Sequence, residues 1–151
     1  MASFTEHLAQ ARHNLYFIDF LDKNTPEYFD WKVTVCFYVS IHLINARIAD
    51  KENAHYRKHR DVEIAINPYR GNCAIPQNIY LSYKKLHNLS RRSRYLIHED
   101  NHRFTEDSIV HHTSEKHYAK AKNRLQEIKD YFLLEYKIDV DNPAPIITEK
   151  P

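Results

Sequence analysis
The sequence predicts an all-α protein, a four-helix bundle with a long, partly helical connection between its second and third helices. Three observations lead there. Gly71 is the single glycine in 151 residues, which argues against a many-turned β protein and against a Gly-rich phosphate loop, since both need residues that tolerate positive φ. Apolar residues recur at spacings of three and four along four segments, and this places them on one helical face in each. A chain of this length also builds one sizeable core rather than two. Residues 1–138 are therefore expected to form one helical domain, and residues 139–151, "DVDNPAPIITEKP", an extended Pro-containing tail.

Ser3 or Thr5 can cap the first helix, in which Phe4, Leu8, Ala11, Leu15 and Ile18 share a face. Pro26, in "DKNTPE", ends it, because proline lacks the N–H and crowds the preceding turn. The second helix is expected over 28–50. Val33, Phe37, Ile41, Ile44 and Ile48 form one stripe on it, and Trp31, Val35, Tyr38, His42, Asn45 and Ala49 another. Two such stripes mark a central helix, flanked by two neighbours or by a neighbour and a second subunit. Residues 51–77 form the long connection, with a short helix around "AHYRKHRDVEIAI" and a turn at "NPYRGNCAIP"; its length points to function. The third helix starts at Pro76, whose fixed φ suits a first turn, and runs to about Ile97. The fourth, capped by Thr113 or Ser114, turns Tyr118, Ala121, Leu125, Ile128 and Phe132 inward.

Composition narrows the function classes. A formal charge of +2 and a pI near 8.4 are too mild to announce nucleic-acid binding, so any polyanion site must be a local patch. Cys36 and Cys73 have no framework spacing, which predicts a reduced protein without a structural disulfide. The first residues lack a basic stretch followed by an apolar one, and no apolar run approaches about 18 residues. A cytoplasmic protein with no membrane partner is expected. Eleven histidines favour proton chemistry, metal binding or a pH response.

On the third helix Tyr80, Lys84, His87, Arg91, Arg94 and His98 follow at spacings of four and three, which sets them on one stripe. The opposite side carries Ile79, Tyr83, Leu86, Ser90, Ser93 and Ile97. Stacked like charges repel, so helix stability gives no reason for such a ladder. It is a solvated face or one paired with Glu99, Asp100, Glu106 and Asp107; an anion site in which Arg91 and Arg94 hold phosphate and His87 or His98 exchanges protons; or an oligomer contact.

The segments "CFYVSIHLINARIAD" and "LSYKKLHNLSRRSRYL" resemble the second and third helices of HEPN domains, in a matching four-helix order from Ser3 to Ile138. The resemblance implies a HEPN-type bundle that dimerises. It further implies a metal-independent ribonuclease in which an Arg and a following His are separated by four to six intervening residues. Arg91 or Arg92 with His98 fits that spacing. On an uninterrupted helix Arg92 and His98 lie roughly 120° apart, so either the helix ends before His98 or Arg91 and Arg94 are the phosphate ligands. A catalyst of this kind makes a 2′,3′-cyclic phosphate from RNA without cofactor or metal, as a toxin or defence effector. The alternative is a non-catalytic HEPN-like module binding a nucleotide or a protein partner, such as the other half of a two-component system.

The remaining histidines divide further. His55 and His59 have metal-ligand spacing, but the cations of "HYRKHR" make a basic RNA-gripping loop of His55, Arg57, His59 and Arg60 the stronger expectation. His42 and Asn45, with Arg47 nearby, are expected as a hydrogen-bonded core or interface group, joining the site only if their stripe faces the ladder. His111, His112 and His117 surround a helix start, where solvation or local hydrogen bonds are expected.

Overall fold
The computed structural model describes residues 1–98 and 110–142. It contains α1 (Phe4–Asn24), α2 (Phe29–Glu52), α3 (His59–Ala65), α4 (Gln77–Tyr95) and α5 (Glu115–Tyr136), with no strand among the described residues. Four long helices form a bundle, and short α3 lies within the connection between α2 and α4. Acids Glu99, Asp100, Glu106 and Asp107 lie outside the described residues, as does the tail over 143–151.

Ser3 starts α1 through a capping box: its Oγ accepts from the Glu6 N–H at 3.3 Å, and its own N–H donates to Glu6 Oε2 at 2.7 Å. Two N–H groups without an intrahelical partner are thereby satisfied. Leu8, Ala11 and Ile18 are buried, with Phe4 and Leu15 packed partly against the core. Helix α2 is central and touches each of the other four. Its Val33, Phe37, Ile41, Ile44 and Ile48 are all buried, each such side chain contributing about 1.5–3 kcal/mol of apolar transfer. The second stripe divides: Val35 and Asn45 are buried, whereas Trp31 and Tyr38 are 59% and 41% exposed. Helices α1, α4 and α5 pack on α2 and leave Trp31 and Tyr38 of this stripe uncovered.

The connection is folded back onto the bundle. Arg47, buried on α2, donates to the Cys73 carbonyl at 2.6 Å and the Ala74 carbonyl at 3.1 Å, while its Nε meets Glu135 of α5 at 2.9 Å. The Cys73 N–H reaches back to the Ala65 carbonyl at 2.9 Å. A Cβ on Gly71 would collide with that same Ala65 carbonyl and with the Asn67 nitrogen. The lone glycine thus serves close backbone approach.

Helices here end without glycine. Asn53, Leu96 and Lys137 adopt left-handed φ values of 51°, 55° and 57°, closing α2, α4 and α5 in the role glycine usually fills. At Leu96 this stops α4 two residues short of the predicted Ile97 end. His98 has left the helix, so the Arg94/His98 helical pairing is not formed. Helix α5 begins at Ser114, whose N–H donates to His117 Nδ1 at 3.0 Å, and Tyr118, Ala121, Leu125, Ile128 and Phe132 are buried as the spacing predicts. Past α5, Val140 is buried in the same core.

Candidate functional site
Phe37, fully buried on α2, forms the floor of a groove between α3 and α4. The His87 imidazole of α4 lies flat on its ring, with centroids 4.8 Å apart and planes 14° from parallel. His59, the first residue of α3, meets the same ring edge-on at 5.2 Å. The two imidazoles stand 5.0 Å apart. One turn along α3, Glu63 Oε1 lies 3.0 Å from His87 Nδ1. That bond places the Nδ1 proton toward the carboxylate and leaves Nε2 as the atom for proton exchange.

Lys84, Asn88, Arg91, Arg94 and Tyr95 complete a groove of about 500 Å³. Its charged lining is three cations and one carboxylate besides the histidines. The hydrogen bond from His87 holds the Glu63 carboxyl below its ordinary range, against the opposing effect of burial. Burial lowers the His59 pKa, and the nearby His87 and Arg94 charges lower it further. His59 Nδ1 is buried without a protein partner. A neutral, proton-accepting imidazole beside a carboxylate-held one, with cations around both, can bind an oxyanion and move a proton at it.

Of the residues expected from sequence, Lys84, His87, Arg91, Arg94 and His59 come together here. Others do not. Arg92 is buried and donates through Nε and a terminal nitrogen to the His112 carbonyl at 3.1 and 2.9 Å, bracing α4 against the segment before α5. His98 is exposed beyond the α4 cap, its ring 5.3 Å from that of His111. Arg57 and Arg60 are exposed and do not line the groove. Arg47 is the clamp on the connection, and Asn45 is buried with its Oδ1 unpartnered by protein.

His42 and His55 belong to a second cluster, and its centre, His7, went unsuspected. His7 Nδ1 lies 3.1 Å from His42 Nδ1, and His7 Nε2 lies 3.1 Å from His55 Nδ1. The imidazoles thus form a string from α2 through α1 to the connection. Burial, and then the charges of His42 and His55, push the His7 pKa down to about 4; burial also lowers that of His42. His7 gives a different nitrogen to each neighbour, so the three do not converge on one point. Among the described residues no group of three or more His, Cys, Asp or Glu side chains is arranged to hold a metal ion.

Sequence reasoning also missed Glu63, Asn88 and Tyr95. Only Glu63 had a usable signal: in "HRDVE" it lies four residues after His59, on the same face of α3.

Fold and groove together define the class: an all-helical bundle carrying a basic, histidine-bearing groove between its short third helix and α4. Comparison with protein-family models, curated proteins and solved structures returns no match to the chain. No helix among the described residues is long and apolar enough to cross a membrane.

Proposed function
We propose that the protein is a HEPN-like RNA-binding protein and a metal-independent endoribonuclease, with its active site in the α3–α4 groove. The observation that carries this reading is the His87–Glu63 bond of 3.0 Å beside His59, within a groove lined by Lys84, Arg91 and Arg94. Neutral His59 takes the proton from an RNA 2′-hydroxyl. The 2′-oxygen bonds to phosphorus, the bond from phosphorus to the 5′-oxygen breaks, and protonated His87 gives its proton to that leaving oxygen. Glu63 orients His87 and stands as counter-charge to its imidazolium, while the cations stabilise charge on the crowded phosphorane. The products are a 2′,3′-cyclic phosphate and a 5′-hydroxyl. DNA is not cut, because it lacks the nucleophile. On the HEPN likeness the protein acts as a cytoplasmic homodimer in a toxin or defence system, with a protein partner as its control.

The test is cleavage of mixed RNA in EDTA by the parent, His59→Ala, His87→Ala and His98→Ala. Cyclic-phosphate product that disappears in the His59 and His87 variants supports the groove. Loss confined to the His98 variant would move the active site to the end of α4. Binding of RNA or nucleotide by the groove without any cleavage would make the protein a non-catalytic HEPN-like module.

A further inference from the structure
We propose that a cavity bounded by α1, α2 and α5 is a binding site for a small amphipathic monocarboxylate, its charge on the Lys122 ammonium and its apolar body over Leu15, Ile18 and Leu125. No residue of the α3–α4 groove lines this cavity, so the site stands independently of the RNA reading.

The cavity measures about 250 Å³, below the roughly 300–1,000 Å³ that drug-sized ligands occupy, so its occupant is small. Leu15 and Ile18 of α1, Leu125 of α5 and the Cys36 thiol of α2 give it apolar walls and floor. Cys36 is fully buried. Burial, with the Asp22 charge adding to it, pushes this thiol up to about 12 against the opposing effect of Lys122 and Lys129. The floor is therefore uncharged.

The charged groups around it decide the ligand class. Three carboxylates line the cavity, Asp19, Asp22 and Asp141, together with the ammoniums of Lys122 and Lys129. Each carboxylate is engaged. Asp19 meets the Lys23 ammonium at 2.6 Å, and Asp141 meets that of Lys129 at 2.8 Å. Asp22 is neutralised from within the protein: the Lys32 ammonium, on a side chain only 4% exposed, lies 3.1 Å from its Oδ1. The Tyr118 hydroxyl donates to its Oδ2 at 2.9 Å. Lys122 is what remains. Its ammonium lies 4.5 Å from the Tyr118 ring centroid, and no carboxylate pairs with it among the described residues. A cavity with compensated acids and one such cation beside an apolar wall selects a single negative charge on an apolar body. Without the buried Lys32, Asp22 would repel that anion at short range. A dianion such as a phosphate monoester finds no counterpart for its second charge.

Hexanoate is the probe, with 1-hexanol as its uncharged counterpart, followed by methyl NMR of the full chain. Hexanoate is expected to shift the methyl resonances of Leu15, Ile18 and Leu125 with a Kd below about 1 mM. Hexanol should bind about tenfold more weakly or less. Lys122 is exposed, so Lys122→Gln spares the core, and thermal melting checks that the variant is folded. It should lose about tenfold in hexanoate affinity, with Lys122→Arg recovering most of that loss. Equal binding of hexanol and hexanoate, or an unchanged affinity in folded Lys122→Gln, overturns the carboxylate site. Shifts confined to other methyl groups, or none in the folded parent up to about 10 mM hexanoate, overturn it as well.

Discussion
His87 Nδ1 and Glu63 Oε1 stand 3.0 Å apart, so a carboxylate on the connection sets the orientation of an imidazole on α4. Glu63→Gln keeps the size and a hydrogen-bonding oxygen but removes the charge. In the RNA cleavage assay kcat is expected to fall roughly 10- to 100-fold with KM changed by less than about twofold. A raised KM at constant kcat would instead make Glu63 a substrate contact.

Acid should weaken the fold through His7. In the unfolded chain this group protonates near its ordinary 6.5, whereas in the native protein, buried between His42 and His55, it resists protonation down to about 4. Glu6 is the charged neighbour that acts in the opposite sense. The unfolded state therefore binds more protons between those values, and stability falls as pH drops from 6.5 toward 4. The His7 contribution to that loss is about 3 kcal/mol. Urea denaturation across this range should show a shallower slope for His7→Gln than for the parent. Parallel slopes would remove His7 from the acid response.

Arg47 was a candidate for site or interface support, and the structure places it as a clamp on the Cys73 and Ala74 carbonyls and on Glu135. Arg47→Met leaves a carboxylate and two carbonyls without their donor, so a loss of about 3–5 kcal/mol is expected in chemical denaturation. RNA affinity of the fraction still folded should not change. Weakened binding at unaltered stability would return Arg47 to the site.

Lys137 closes α5 at φ 57° on an exposed position. A side chain there is strained by about 1–2 kcal/mol, while glycine adds unfolded-state freedom worth roughly 0.5–1 kcal/mol. Lys137→Gly should therefore raise stability by a few tenths to about 1 kcal/mol, seen as a higher melting temperature. A lower one would show that Lys137 makes contacts that outweigh the strain.

The long helices were legible because their buried faces repeat with the helical period, most plainly at Leu8, Ala11 and Ile18 and at Tyr118 through Phe132. The end of α4 was not. Leu96 takes a conformation usually signalled by glycine, so nothing in "RYLIHED" announced that His98 leaves the helix. Half of the groove was legible as the ladder on α4, because its members share one local periodicity. The Glu63 partnership was hidden, because it joins residues 24 apart in sequence and depends on how the connection folds back. His7 was hidden differently: it lies inside an apolar stripe, where only the tertiary approach of α2 and the connection shows that its neighbours are imidazoles.

The string His42–His7–His55 has a fixed proton capacity. Its two contacts engage four nitrogens, and each bond requires one hydrogen and one lone pair. Three neutral imidazoles carry three hydrogens, two in the bonds and one on an outer Nε2. A fourth fits on the other outer nitrogen with both bonds intact, and the added charge strengthens them. A fifth has no place unless a bond opens. The link from α1 to α2 and to the start of the connection therefore survives the first added proton and breaks at the second, a step rather than a slope in how firmly these three segments are joined.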